Sequence, residues 1–179
     1  LVVDQFRADY VDRFGGQWTA GLRRLIDGGA YFEQAAYPYA ATETCPGRAT
    51  IATGMFPRTH GIIANGWYDR VTRRPVVCTA DATPPVALGE GAAYESHGPR
   101  FLDATTLADE LRLQQPGGAR VVAVSLKARA AISMAGHGGD TIAWLEDAGA
   151  WATSKAFADV APRAADAFVR SHPVDHDYE

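Results

Sequence analysis

The chain has 179 residues, 47% hydrophobic and 21% charged, enough apolar side chain for one globular domain with its own core. Seventeen basic residues against 21 acidic ones leave a net charge of −4, which excludes the overall basic footprint of a nucleic-acid binder. No apolar run approaches the roughly 20 residues of a membrane span.

The first segment, Leu1-Val2-Val3-Asp4, reads as the end of a buried strand. Helical signals follow in "DYVDRF" and again in "WTAGLRRLIDGGA", where Gly28-Gly29 is a plausible stop. The aromatic stretch "AYFEQAAYPY" reads as extended. "CPGRATIATG" reads as a helix with Pro46 in its first turn, where the missing N–H costs nothing. From Met55 to Trp67 the turn signals "FPRTHG" and "ANG" indicate a loop. Arg70 to Arg100 should form a short hairpin and then an irregular excursion. "DATTLADELRLQQ" is a helix with a Thr or Asp cap and apolar positions Leu107, Leu111 and Leu113. "ARVVAVSL" reads as a buried strand, and "DTIAWLE" and "GAWATS" as two strands about a turn at Asp147-Ala148-Gly149. "FADVAPRAADAFVRS" gives one or two helices broken at Pro162. Strands alternating with helices indicate an α/β layered fold around a largely parallel sheet.

The chain opens without a methionine, inside what reads as a strand, and ends abruptly. The expectation is a piece of a longer protein, about two to three times this length. Cys45 and Cys78 could pair in an oxidising compartment, and two thiols alone decide no more than that.

Five positions could carry chemistry. Asp4 ends an apolar segment, where open α/β sheets place ligands, or it caps the helix that follows. Thr44 lies between an extended segment and a helix start. Its hydroxyl can cap that helix, or act as a nucleophile if a base or metal activates it, at a place where free N–H groups favour an anion. Asn65, in "GIIANGW", is a turn residue or a hydrogen-bond donor to a phosphoryl oxygen. Lys127 and Arg129 follow a strand. If the backbone stays extended, they point the same way and form a cationic pair beyond the sheet edge, or else a solvated pair. His60 reads as structural, and His137 as a loop hydrogen-bonder rather than a metal ligand. "GHGGD" lacks phosphate-loop spacing, and Asp175-His176 stands without a partner motif.

Taken together, "VVDQFRADY", "ATETCPGRATIATGMFPRTHGIIANGW" and "SLKARAAISMAGHGGDTIAW" resemble the alkaline phosphatase superfamily, most closely the phosphate-irrepressible alkaline phosphatases of the type I phosphodiesterase/nucleotide pyrophosphatase branch. The resemblance covers most of the chain, as the N-terminal part of one catalytic domain with an irregular excursion around residues 70–100. It implies that Asp4 is a ligand of one of two Zn2+ ions, that Thr44 is the zinc-bound nucleophile, and that Asn65, Lys127 and Arg129 bind the phosphate. The family's remaining metal ligands, an Asp-x-x-x-His motif, an Asp-His pair and a final His, have no counterpart here, so the piece alone should catalyse little. The implied activity is zinc-dependent cleavage of small-molecule phosphate monoesters through a phosphothreonine. The alternatives are a nucleotide pyrophosphatase/phosphodiesterase on the same scaffold and a non-catalytic anion-binding domain. No nucleic-acid duplex is expected as partner. The family places the protein in the periplasm or outside the cell, although no signal peptide is visible in this chain.

Overall fold

The structure, a computed structural model, describes residues 1–173. Asp175-His176 therefore lies outside the described residues. The backbone divides into two units, Leu1–Ala40 and a second beginning at Ala41.

The first unit holds helix α1 (Tyr10–Phe14), a 3-10 turn over Gly15–Gln17, and helix α2 (Gly21–Gly28). Both helices fall where the sequence placed them, and α2 ends at the expected glycine pair. Phe6 and Trp18 meet at 5.9 Å, and Tyr10 and Phe14 at 5.3 Å. Residues 1–4 do not form the expected strand, because a strand needs a ladder partner and this unit contains none among its described residues. Residues 31–39 also run without regular pairing.

The second unit is built on a four-stranded sheet. Its strands are β3 (Pro85–Leu88), β4 (Val122–Ser125), β5 (Thr141–Leu145) and β6 (Trp151–Ser154), in the order β3-β6-β5-β4. The α/β class is as expected, and the sheet is mixed. β4 and β5 run parallel, while β6 pairs antiparallel with both β5 and β3. Residues 85–88, which the sequence reads as part of an irregular excursion, thus join this sheet. A separate hairpin joins β1 (Gly66–Asp69) to β2 (Arg74–Val77), its turn held by the Asp69 carboxylate on the Val71 N–H at 2.8 Å.

Helix α6 (Ala128–Ala135) covers one face of the sheet. Ala128, Ala131, Ile132 and Ala135 pack there with Ile142, Trp144 and Ala152. Helix α7 (Arg163–Ser171) starts just past Pro162, and together with Val122, Val124 and Ala143 it lines an apolar groove on the other face. "ARVVAVSL" is a strand but not a buried one. β4 is the edge of this sheet, with Ala123 packed toward α6 and both Val122 and Val124 exposed. Period-2 alternation sends Ala123 to one face and Val122 and Val124 to the other, which a continuous apolar run cannot reveal.

Helix α3 (Thr44–Thr53) packs on α6. Most of their buried residues are small, Cys45, Gly47, Ala49 and Ala52 on α3 and Ala128, Ala130, Ala131, Ser133 and Ala135 on α6, which lets two helix backbones approach closely. Gly54 ends α3 in the left-handed conformation, its N–H returning to Thr50 O at 2.9 Å. Within the expected loop, Pro57–His60 forms a short helix, α4. Helix α5 (Leu107–Gln114) has the predicted threonine cap. Thr106 accepts from the Asp109 N–H, and the Asp109 carboxylate accepts from the Thr106 N–H. Its three apolar positions, Leu107, Leu111 and Leu113, are exposed, and the fully buried side chain is the cap, Thr106.

Candidate active site around Thr44 and Asn65

Thr44 is the first residue of α3, and Glu43 occupies the N-cap position. The hydroxyl therefore stands one residue inside the cap position. The helix start is capped from far along the chain. Asn65 Oδ1 accepts from the Cys45 N–H at 2.8 Å, which satisfies one of the donors a helix leaves open at its first turn. Asn65 does not form a hairpin turn with Gly66. It bends directly into β1, and the hairpin turns at residues 70–73.

The start of α3 is fixed further by a disulfide between Cys45 and Cys78. Cys78 also donates its N–H to the Asn65 carbonyl at 2.9 Å. Thr44, Asn65 and Cys78, scattered over 35 positions, thus meet at one place. Deeper along α3, the fully buried His60 reaches Thr50 Oγ1 at 3.1 Å and accepts from the Ile62 N–H through Nδ1 at 3.2 Å. The Ile62 bond leaves the ring proton on Nε2, facing Thr50. Burial pushes the His60 pKa below its ordinary value, so the ring is neutral. His60 is thus a structural residue, as expected.

Lys127 and Arg129 do not share an extended face. Lys127 is the N-cap of α6 and keeps extended dihedrals, while Arg129 is already helical, so the expected alternation fails at the strand-to-helix junction. The two residues nevertheless line one cavity of about 330 Å³, together with Cys78, His97, Trp144 and Glu146. Cys78 therefore links the Thr44–Asn65 corner to the cationic pair. The Arg129 Nε–H is buried with no protein acceptor among the described residues, as is the Trp144 indole N–H. Such donors suit an anion or a water.

Sequence reasoning missed the acidic side chains that shape this region. Glu43 Oε2 accepts from the Asn65 N–H at 2.6 Å. The buried Glu146 accepts from the N–H groups of Tyr94 and Glu95, at 3.0 and 3.2 Å, and so tethers the excursion that carries His97 into the cavity. His97 in turn meets Thr79 Oγ1 at 2.9 Å and Glu95 Oε2 at 2.8 Å. These partners lie 18 to 52 positions apart except for the last, and no local pattern signals them.

His137 bonds the loop, as expected. Nδ1 faces Asp109 Oδ2 at 2.9 Å, and Nε2 faces the Leu102 carbonyl at 2.8 Å. Burial disfavours its charged form, but the bonds to Asp109 and Leu102 and the negative charges of Asp109 and Asp103 outweigh it. Its pKa is raised. Asp109 is correspondingly lowered. Its burial is outweighed by the Thr106 N–H and by the side chain and N–H of His137.

Asp4 belongs to the first unit, at a turn before Gln5, whose φ is 55°. It does not cap α1, which begins after Asp9, and Asp9 is engaged by Arg7 and Arg13. Among the described residues no three His, Cys, Asp or Glu side chains are grouped to hold a metal ion.

A model of type I phosphodiesterases/nucleotide pyrophosphatases matches residues 1–177. Alkaline phosphatase PhoK of a Sphingomonas species is 40% identical over 148 residues, 81% of this chain and 26% of that protein. Alkaline phosphatase PafA of Elizabethkingia meningoseptica is 37% identical over 148 residues, 82% of this chain and 27% of that protein. The crystal structure of wild-type PafA superimposes with a TM-score of 0.88 at 35% identity, covering 95% of this chain and 33% of that one. This chain thus spans about a quarter of the length of these curated relatives. A human bis(5'-adenosyl)-triphosphatase is 33% identical over 81 residues, 45% of this chain. A second solved PafA, with a TM-score of 0.87, carries four substitutions: a threonine to serine, then an asparagine, a lysine and an arginine to alanine. Those four positions are spaced by 21, 62 and 2 residues. Thr44, Asn65, Lys127 and Arg129 stand at the same three intervals.

Proposed function

Because this chain belongs to the type I phosphodiesterase/nucleotide pyrophosphatase family, we propose that it carries the nucleophile and phosphate clamp of a zinc-dependent hydrolase that cleaves small-molecule phosphate monoesters through a phosphothreonine at Thr44. The observation that carries this reading is the bond from the Cys45 N–H to Asn65 Oδ1, which sets the Asn65 amide against the helix start that Thr44 opens. The equal spacing of the four residue types replaced in PafA supports it.

The described residues do not make a metal site by themselves, since no group of three donors is present and a zinc ion takes about four. Two Zn2+ ions are proposed for the whole protein, with Asp4 and Thr44 as this chain's donors and the other ligands outside it. When bound, zinc would lower the pKa of a coordinated hydroxyl and offset charge on oxygen.

The chain's own residues have distinct parts. Thr44 Oγ1 attacks phosphorus as its proton leaves to solvent. The ester P–O bond breaks, and the departing oxygen takes a proton from water. Water then attacks the phosphothreonine, releasing phosphate and restoring the hydroxyl. The Asn65 NH2 group donates to a non-bridging oxygen. Arg129 offers a planar fork and Lys127 a point charge, and together they match a dianion better than a diester monoanion. The open N–H groups of α3 favour the same charge. Positioning and electrostatics supply most of the acceleration in such a reaction.

The disulfide between Cys45 and Cys78 supports a periplasmic or secreted protein, since such bonds persist in oxidising compartments. No helix among the described residues is long and apolar enough to cross a membrane.

The test uses the full-length protein on matched aryl phosphate mono- and diesters. Thr44→Ala should abolish the covalent intermediate and turnover. Alanine at Lys127 or Arg129 should cost the monoester on the order of 10²-fold in kcat/KM, since a bond to a charged group contributes about 2–3 kcal/mol, and should cost the diester less. A strong diester preference of the wild type would move the assignment to the phosphodiesterase reading, which the family's name and the triphosphatase match also support. Undiminished turnover of Thr44→Ala would discard the nucleophile.

A further inference from the structure

Three bonds converge on Asn65. Its N–H donates to Glu43 Oε2 at 2.6 Å, its carbonyl accepts from Cys78, and its Oδ1 accepts from Cys45. The two cysteines that grip it are bonded to each other, and Glu43 and Cys45 flank Thr44 in sequence. The result is a closed ring that runs from Glu43 through Thr44 to Cys45, across the disulfide to Cys78, and back through Asn65 to Glu43. A backbone N–H needs an acceptor, so the Cys45 bond fixes which end of the Asn65 amide is oxygen and turns its NH2 group the other way. A carboxylate one residue from an anion site would repel the ligand. Here it is turned onto a backbone donor, the Asn65 N–H.

We propose that Glu43 and the Cys45–Cys78 disulfide are positioning residues for phosphoryl transfer. They hold Asn65 in one orientation beside Thr44, so that its NH2 group is aimed at the phosphoryl oxygen before substrate arrives. The inference rests on the roles given to Thr44 and Asn65 above. Its physical content is preorganisation, because an amide that wanders by an ångström loses much of its effect on a transition state.

The experiment is a double-mutant cycle on the full-length protein, read as kcat/KM for an aryl phosphate monoester, with thermal stability measured in parallel. Glu43→Ala should lower kcat/KM about tenfold, mainly in kcat, with Glu43→Gln keeping most of the activity because it retains an acceptor. In an Asn65→Ala background, Glu43→Ala should change nothing further, since the group it positions is gone. Reduction of the disulfide in the folded protein should likewise slow the wild type and leave Asn65→Ala unchanged. An equal loss from Glu43→Ala in both backgrounds overturns the positioning role, even with Thr44→Ala inactive. A fully active Thr44→Ala overturns instead the reading on which this one stands. Alanine at both cysteines risks misfolding, so the decision rests on the Glu43 series.

Discussion

Asp109→Asn offers a sharp test of how the ends of α5 and α6 are joined. The carboxylate accepts from the Thr106 N–H at 2.9 Å, from the His137 ring at 2.9 Å and from the His137 N–H at 2.9 Å. Asparagine must place an NH2 group where one oxygen stood. The cheaper orientation turns it toward the His137 N–H, where donor faces donor, and leaves the other two bonds to a neutral acceptor. Bonds to a charged group contribute about 1.5–3 kcal/mol and neutral ones about 0.5–1.5, so the two weakened bonds cost about 1 kcal/mol each. The lost one adds about 1 more, because the half-exposed His137 lets water reach it. The total is about 2–3 kcal/mol. The pH dependence has a definite sign. His137 is raised above its unfolded value near 6.5, so its contribution is fully present below that pH and is lost as pH rises through the folded pKa. Asp109 is lowered, so its own contribution is lost only as pH falls through its folded pKa, below its ordinary value of 3.8. Of this pair, only the histidine titrates above about pH 6.5. Denaturant unfolding of wild type and variant should show the full penalty below about pH 6.5 and a smaller one once pH has risen through the folded pKa of His137. A penalty independent of pH over that range would refute the reading of His137 as a cation held by this carboxylate.

Two further predictions concern the scaffold. Gly136→Ala should destabilise by about 3 kcal/mol in thermal or denaturant unfolding, because φ is 79° and a Cβ would press on the side chains of Asp109 and the fully buried Thr106; a change below about 0.5 kcal/mol would show that the capping box can shift. His60 is buried neutral, with a lowered pKa, so its contribution stands above about pH 6.5 and is lost as pH falls toward the folded value. Wild-type stability should therefore drop as pH falls below about 6.5, and His60→Gln should flatten that part of the curve; an unchanged slope would remove His60 as its source.

Much of the local structure was legible in the sequence because it is set locally. The threonine cap at Thr106, the start of α3 near Pro46, its stop at Gly54 and the start of α7 past Pro162 all depend on residues within one helical turn. The turn at Asp147-Ala148-Gly149 is equally local, with Gly149 at positive φ between β5 and β6. The motifs quoted for the family were legible too, since their order and spacing survive whatever the intervening loops do.

Tertiary structure decided the rest. A run such as "VVAV" states that a strand is apolar, but only its neighbours in the sheet decide that β4 is an edge and that Val122 and Val124 face outward. Two cations two apart share a face only while the backbone remains extended, and α6 begins between Lys127 and Arg129. Glu43, Cys78 and Glu146 carry no local mark because their partners lie 22, 33 and 52 positions away. Sequence determines what each side chain can donate or accept. Which acceptor it meets depends on chain closure over tens of residues, and that follows from packing, not from periodicity.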